Sequence, residues 1–178
     1  MSHPNKNRNY AGRNYVILPY NPKWVKQFTA ESKVIRTAFE DPELEIEHIG
    51  STAVPGMSGK PLIDILVIIS DIDLVDPHVE AMERAGYTAY GDFLEMKSYL
   101  FAREINGQKL VNVHVFETGH PHIKEMLAVR DFLRNNLDEA KAYSRLKNQL
   151  YKQYPTDYAG YREAKDEYVE DLISRLPN

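Results

Sequence analysis

The sequence predicts an α+β domain in which a mixed or mostly antiparallel sheet is flanked by helices, with a helical segment at its C-terminal end. Three observations support this fold class. Strand-like patterns are concentrated between residues 45 and 118, two of them are separated by a hairpin signal, and helical patterns fill the chain from residue 120 onward. Strands that are followed by a run of helices are typical of α+β domains and not of alternating α/β folds.

The first elements are defined by caps and periodicity. Asn21-Pro22 predicts the start of a helix of about twenty residues, with the proline at its first helical position. Glu45 to Gly50 alternates between apolar and polar residues, which indicates a half-buried strand. Leu62 to Ile69 is apolar on both faces apart from Asp64, so we expect a central strand.

The later elements follow from turn signals. Asp76-Pro77 predicts the N-cap and first residue of a helix that Gly86 ends. Asn106-Gly107 lies between two strand-like segments and predicts a hairpin. Three helices are then predicted, over roughly 121–134, 137–154 and 157–175.

Composition and charge limit the possible functions. The chain has 178 residues and no cysteine, which excludes disulfides, thiolate nucleophiles and cysteine-ligated zinc. Residues 40–119 carry fifteen acidic and five basic side chains. Such an acidic region lacks the basic stripe that binds nucleic acid, so nucleic acid is not an expected partner. It is compatible with a small anionic ligand that is bridged by a metal ion.

We divide the chain into a disordered basic arm, residues 1–13, and one domain, residues 14–178. Within that domain a core spans residues 14–118 and a helical appendix spans residues 120–176. No apolar run is long enough to cross a membrane, and the first residues lack the apolar segment of a secretory signal. We therefore expect a cytoplasmic protein, and the sequence does not indicate its oligomeric state.

Two glycine-containing segments are candidates for binding phosphate. Gly56, Gly59 and Lys60 fail the Walker pattern, because a proline and then a strand follow the lysine. Gly50 and Ser51 follow a strand and open a short helical turn, where backbone amides can approach a phosphate. A plain turn with a serine N-cap is the alternative interpretation.

Two polar residues stand out within apolar strands. Asp64 lies in the predicted central strand, where an unpaired carboxylate would cost on the order of several kcal/mol. We therefore expect it to face a pocket, a cation or a metal ion. His114 lies in a later strand, on the same face as Asn112 and Phe116. If the two strands are neighbours, Asp64 and His114 meet, either in a site or as a structural pair.

Three further patterns have structural interpretations. Asp71 and Asp73 follow the central strand and are expected to act in a loop or a helix cap. His120 and His122 are expected to be surface histidines at a helix start, since no third metal ligand is near. A helical stripe is expected to serve packing, and it consists of Tyr143, Leu146, Leu150 and Tyr154.

Five segments together resemble the GrpB-like family. They are PYNPKWVKQFTAE, IEHIGSTAVPGMSGKPLIDILV, NVHVFETGHP, LAVRDFLR and YREAKDEYV, and the resemblance extends from about Tyr15 to Val169. This family belongs to the nucleotidyltransferase superfamily, whose fold is similar to the polymerase-beta palm. The resemblance implies that fold, together with a metal-dependent transfer of NMP from an NTP to a hydroxyl of a small acceptor.

The resemblance also implies roles for individual residues. Gly50 and Ser51 match the glycine-serine motif of the superfamily, and Asp64 matches its first strand carboxylate. Leu66 stands where a second carboxylate is usual, and His114 stands where a third is usual. The implied catalytic and metal-binding residues are Asp64 and His114, with magnesium, manganese or zinc as the divalent cation. The implied phosphate- or nucleotide-binding residues are Gly50, Ser51, Thr52, Lys60 and Arg130. The other family-like pocket positions are His48, Asp131, Tyr161 and Lys165.

These patterns leave two functional hypotheses open. The first is an enzyme that transfers a nucleotide, whose partner is an NTP or another phosphorylated small molecule. The second is a non-catalytic module that binds a nucleotide or a coenzyme-A-type ligand, because Leu66 replaces a usual metal ligand. Imidazole is also a poor ligand for magnesium, which makes His114 either a general base or a ligand for manganese or zinc.

Overall fold

The computed structural model describes residues 14–92 and 96–176. They form a five-stranded mixed sheet with the strand order β1-β2-β5-β4-β3 and helices on both faces. The strands are β1 (Glu45–Ile49), β2 (Ile63–Ile69), β3 (Thr88–Gly91), β4 (Ser98–Ile105) and β5 (Gln108–Glu117). The α-helices are α1 (Lys23–Ala38), α2 (Val79–Arg84), α3 (Pro121–Asn135), α4 (Leu137–Gln153) and α5 (Tyr158–Ser174). The predicted α+β fold class is confirmed.

Strand β2 is central, as its apolar pattern predicts. It pairs antiparallel with β1 and parallel with β5. Parallel neighbours need a long crossover connection, and here the chain between β2 and β5 supplies α2, β3 and β4. Ile65, Leu66 and Val67 have no solvent-exposed surface, since β2 is covered on both faces.

The two faces of the sheet are packed by different helices. One face packs against α1 and α2, through residues such as Ile35 and Met82. The opposite face packs against α3, where Leu66 and Phe116 contact Met126. Helices α4 and α5 then pack against α3 and the loop that follows β1. This second layer of helices encloses space above the sheet, where the candidate site lies.

The hairpin and the last three helices match their predictions closely. Asn106 and Gly107 have φ values of 52° and 75°, as a two-residue type I′ turn requires. Helices α3, α4 and α5 each begin and end within one residue of the predicted bounds. In the part of the chain that the structure describes, no helix is both long and apolar enough to cross a membrane.

Other boundaries differ from the predictions. Helix α1 has 16 residues, and Pro22 is its N-cap, while the Asn21 side chain accepts a hydrogen bond from the Lys23 amide. The predicted helix start at Asp76-Pro77 is wrong, because Asp71 caps a 3₁₀ helix over Ile72–His78 that contains Pro77. Helix α2 begins only after that segment. The predicted disordered arm, residues 1–13, lies outside the described residues, and the division into core and appendix stays a prediction.

Candidate functional site

A cavity of about 500 Å³ lies between the sheet and helices α3, α4 and α5. Strands β2 and β5 form its floor, the loop after β1 forms one edge, and the three helices form its walls. Its lining combines apolar side chains of α3 and α5 with a group of charged and hydroxyl-bearing residues. A concave, partly apolar site with convergent polar groups is typical of small-molecule binding.

Asp64 is the central polar group of the cavity floor. The Asn112 amide donates a hydrogen bond to its Oδ1 over 2.9 Å, and His114 Nε2 lies 3.9 Å from the same oxygen. The parallel register explains this proximity, because Asp64 is opposite Asn112 and His114 is two residues further on the same face. The Asp64 side chain is 28% exposed, so it faces the cavity as expected.

The environment keeps Asp64 ionised. Burial alone would raise the pKa of this carboxyl group. The contacts with His114 and Asn112 and the charge of Lys60 outweigh burial and hold the pKa of Asp64 below its usual range. The floor of the cavity therefore carries a negative charge at neutral pH, which is suited to a cation.

Gly50 must be glycine for two reasons. Its φ of 71° lies in the left-handed region, which side chains disfavour. A Cβ atom at this position would also lie 2.9 Å from Asp64 Oδ2, which is closer than real side chains approach. Gly50 thus allows the loop after β1 to pass directly beside the carboxylate.

Lys147 is a buried cation on the wall of the cavity. Its Nζ donates to Ser51 Oγ over 2.7 Å and to the Ser58 carbonyl, and it lies 4.5 Å from the ring centroid of Tyr143. The residue is only 2% exposed, and no described carboxylate lies within ion-pair distance of it. Burial, followed by the charges of Lys165 and Lys60, lowers the pKa of Lys147 to about 7.

Further cations line the cavity beside Lys147. Lys60 donates to the Tyr158 hydroxyl and lies 4.6 Å from the centroid of that ring. Lys165 Nζ lies 2.6 Å from Asp166 Oδ1, an acid that Arg162 also contacts over 3.1 Å. Cations therefore outnumber acids on this wall, and an anionic ligand would be attracted to it.

Eight of the eleven residues suggested by the sequence line the cavity. They are Gly50, Ser51, Lys60, Asp64, His114, Arg130, Tyr161 and Lys165. The other three, which do not line it, are His48, Thr52 and Asp131. His48 Nε2 is hydrogen-bonded to Thr52 Oγ1 at 3.0 Å, and its ring stacks on Phe28. Both side chains are buried, and their hydrogen bond holds the loop after β1 against that strand.

Arg130 is strongly bound to other protein groups. Its guanidinium donates to the carboxylates of Glu47 and Asp131 and to the His48 carbonyl oxygen. These contacts connect α3 to β1. Two carboxylates already offset the charge of Arg130, so it attracts a ligand phosphate less than Lys147 does.

Several cavity residues were not suggested by the sequence as site residues, including Lys147, Asn112, His122 and Glu125. For Lys147 a signal existed, because the lysine lies four residues after Tyr143 on the buried stripe of α4. The prediction of two surface histidines is wrong. His120 and His122 are half-buried and hydrogen-bonded, His120 to the Met96 carbonyl and His122 to Glu125.

The donor groups fit a divalent cation only together with a ligand. Across residues 14–92 and 96–176, no three His, Cys, Asp or Glu side chains form a metal-binding group. Asp64 and His114 offer two donors, and Leu66 is fully buried and offers none. The Asp64 carboxylate suits magnesium or manganese when substrate phosphates supply further oxygens, whereas the His114 imidazole suits a transition metal such as zinc better.

Comparisons with known proteins agree with this architecture. A family model described as GrpB protein matches residues 14–175. A UPF0157 protein of Halalkalibacterium halodurans is 34% identical over 160 residues, which are 89% of this chain and 80% of that protein. A dephospho-CoA kinase of Mycobacterium bovis is 25% identical over 183 residues, which cover 89% of this chain and 45% of the kinase.

Solved structures with similar folds support the same comparison. The GrpB protein of Enterococcus faecalis superposes with a TM-score of 0.83 at 31% identity, over 89% of this chain and 95% of that one. Terminal uridylyl transferase 4 of Trypanosoma brucei, solved with bound dUTP, gives 0.53 at 10% identity, over 89% of this chain and 60% of that one. This second likeness concerns the fold, which is that of the nucleotidyltransferases. On the family match and the closely similar GrpB structure, the chain belongs to the GrpB protein family.

Proposed function

We propose that this protein binds a nucleoside triphosphate in the cavity and transfers its nucleotidyl group to a hydroxyl of a small acceptor. One observation carries the proposal: a single cavity combines the ionised Asp64, beside His114 and Asn112, with the buried cation Lys147. The fold of the nucleotidyltransferases, one of which was solved with bound dUTP, supports it.

The triphosphate would lie against Ser51 and Lys147. Among the described residues, the hydrogen-bond acceptors of Lys147 are a hydroxyl and a carbonyl and no carboxylate, which leaves net positive charge for a ligand to neutralise. Lys60 and Lys165 line the same cavity and increase that charge. We assign the main phosphate contact to Lys147 and not to Arg130, whose guanidinium is held by two carboxylates.

In the reaction, the acceptor oxygen would bond to the α-phosphorus while the bond from that phosphorus to the bridging oxygen breaks and pyrophosphate leaves. Lys60 and Lys147 would neutralise charge on the departing pyrophosphate. A divalent cation held by Asp64 and His114 would polarise the α-phosphate. Asn112 holds the Asp64 carboxylate in position through its amide.

A second candidate function is a non-catalytic module for a nucleotide or a coenzyme-A-type ligand. The buried Leu66 favours it, because this position offers no second strand carboxylate for a metal. The likeness to part of a dephospho-CoA kinase is consistent with it. Such a module would keep the anion contacts of Ser51 and Lys147 and would have no turnover.

The deciding experiment measures binding and turnover on the same samples. Thermal shifts are recorded with ATP, GTP, CTP, UTP and coenzyme A, each with magnesium, manganese or EDTA. A ligand at a hundred times its Kd stabilises by about 2.7 kcal/mol, which raises Tm by roughly 5 to 10 °C in a chain of this size. Pyrophosphate release is then followed with a panel of acceptors.

Asp64→Asn is the test variant, and Asp73→Asn, at an exposed position, is its matched control. A nucleotidyltransferase predicts metal-dependent NTP shifts and pyrophosphate release, both of which are lost in Asp64→Asn and retained in Asp73→Asn. A binding module predicts shifts with no pyrophosphate release under any condition. The absence of any shift with all five ligands would contradict both functions.

A further inference from the structure

A second polar pair lies in the same cavity, on the first turn of α3. His122 Nδ1 is 2.6 Å from Glu125 Oε2, and both residues line the cavity. The side chains are 23% and 44% exposed, respectively. This pair takes no part in the phosphate and cation contacts that the proposed function assigns to Ser51, Lys147 and Asp64.

The pair lies at the opposite end of the cavity floor from Lys60 and Lys109. Asn112, His114 and Phe116 follow one another on one face of β5, roughly 7 Å apart at each step. The His122 ring lies 6.0 Å from the Phe116 ring, so it is one step beyond His114. Lys60 and Lys109 lie in the other direction, before the paired residues Asp64 and Asn112.

The carboxylate of Glu125 fixes the tautomer of His122. A neutral imidazole that donates from Nδ1 to a carboxylate leaves Nε2 as a hydrogen-bond acceptor. Within the described part of the chain, His122 Nε2 has no hydrogen-bond partner. A carboxylate-oriented imidazole with an available nitrogen is the arrangement of a general base. His114 differs, since its Nε2 is directed to Asp64.

The surroundings of the pair indicate what it can bind. Met96, Leu100 and Met126 give this part of the cavity apolar surface, and Glu125 gives it a carboxylate. An acceptor that carries phosphate, such as an RNA end, would be repelled by that carboxylate and would find apolar walls in place of cations. A small alcohol without negative charge fits both features.

We propose that the His122–Glu125 end of the cavity is the acceptor subsite, that it takes a small alcohol without negative charge, and that His122 accepts the proton of the attacking hydroxyl. This inference rests on the proposed function. The hydroxyl oxygen bonds to the α-phosphorus, its proton moves to His122 Nε2, and pyrophosphate leaves towards the lysines. Glu125 is a positioning residue, which keeps the other ring nitrogen protonated.

The first test follows the subsite without turnover. In ¹⁵N-histidine NMR spectra we expect His122 to be the Nδ1–H tautomer, and we expect Glu125→Ala to convert it to the Nε2–H form that free imidazoles favour. Glu170→Ala, at an exposed position of α5, is the matched control. Glycerol and 1,2-propanediol, added to the protein with a bound NTP, should shift the His122 resonances and leave those of His78 unchanged. If neither alcohol changes the chemical shifts of His122, the proposed subsite is overturned.

The second test uses turnover. Pyrophosphate release is measured with neutral alcohols, amino alcohols, glycerol 3-phosphate and short RNAs as acceptors. We expect His122→Ala to lower the acceptor-dependent rate by about 10²-fold or more, with the KM of the NTP unchanged. Equal rates for wild type and His122→Ala, or faster release with RNA or glycerol 3-phosphate than with uncharged alcohols, would overturn the proposal. If nucleotides bind and no acceptor gives turnover, the proposed transferase fails, and the NMR result alone decides the alcohol subsite.

Discussion

The two faces of strand β2 serve different purposes, although their residues alternate along one segment. Ile63, Ile65 and Val67 point to the core beneath α1 and α2 and are at most 2% exposed. Asp64 points the other way, is 28% exposed, and meets the polar residues of β5. Neighbouring positions of one strand therefore have separate roles: the residues on one face stabilise the core, and the residue on the other face is available for ligand binding.

The largest expected effect comes from placing a charge on the core face. Ile65→Asp introduces an unpaired carboxylate at a position with no exposed surface, which costs several kcal/mol or more, about as much as the whole stability of a domain. We expect no cooperative unfolding transition by circular dichroism. Ile65→Val, the control, should lose only about 1 kcal/mol of unfolding free energy. A cooperatively folded Ile65→Asp would contradict the separation of the faces.

Removing the buried cation Lys147 on the cavity side should weaken nucleotide binding and leave the stability of the protein nearly unchanged. In Lys147→Met, relief from burying a charge offsets the hydrogen bonds lost to Ser51 and Ser58, so we expect stability to change by less than about 1 kcal/mol. Nucleotide affinity should fall about 10- to 100-fold in calorimetric titrations. The exposed Lys141→Met is the control. An unchanged affinity would show that the phosphates lie elsewhere.

The pH dependence of nucleotide binding is a second test of the assignment of the main phosphate contact to Lys147. Because burial lowers the pKa of Lys147 to about 7, the free protein loses this charge as the pH rises above 7. A bound anion favours the protonated form, so nucleotide affinity should fall by up to about tenfold per pH unit between pH 7.5 and 9. Proton uptake on binding, measured by calorimetry in buffers of different ionisation enthalpy, checks this expectation. Lys147→Met should abolish the uptake.

The smallest effect concerns His48, which does not line the cavity. Burial lowers the pKa of His48 to about 4, so in the unfolded chain the imidazole takes up a proton at a higher pH than in the folded protein. Stability from this residue is complete above pH 6.5 and is lost progressively as the pH falls towards 4. At pH 5.5 we expect a loss of about 1 kcal/mol in urea unfolding. His48→Phe should remove that part of the pH dependence, whereas His78→Phe should retain it.

Most of the fold could be predicted because its signals are local. The apolar run of β2, the Asn106-Gly107 turn and the periodicity of the last helices each depend on adjacent residues. Strand β3 was not predicted, because it has only four residues, lies at the sheet edge and is at most half-buried. The start of α2 was misplaced because two aspartates compete as caps, and a local pattern does not rank Asp71 over Asp76.

The site could be predicted only in part, for a related reason. Asp64 and His114 are conspicuous, since a polar residue within an apolar strand needs an explanation. Lys147 is easily missed, because lysines on helices are usually exposed, and only its spacing from Tyr143 on α4 indicates that this one is buried. The hydrogen bond from Arg130 to Glu47 joins residues 83 positions apart, so the sequence around either residue could not predict it.

Because α3, α4 and α5 follow all five strands in the sequence, the two sides of the site are synthesised at different times. During translation all five strands are synthesised before Lys147 and Lys165. A nascent chain therefore carries Asp64 and Lys60 before it carries the cations of α4 and α5 that would face a phosphate. In the finished protein a bound nucleotide would touch both layers and join them, so it should slow hydrogen exchange in α4 and α5 more than in the sheet.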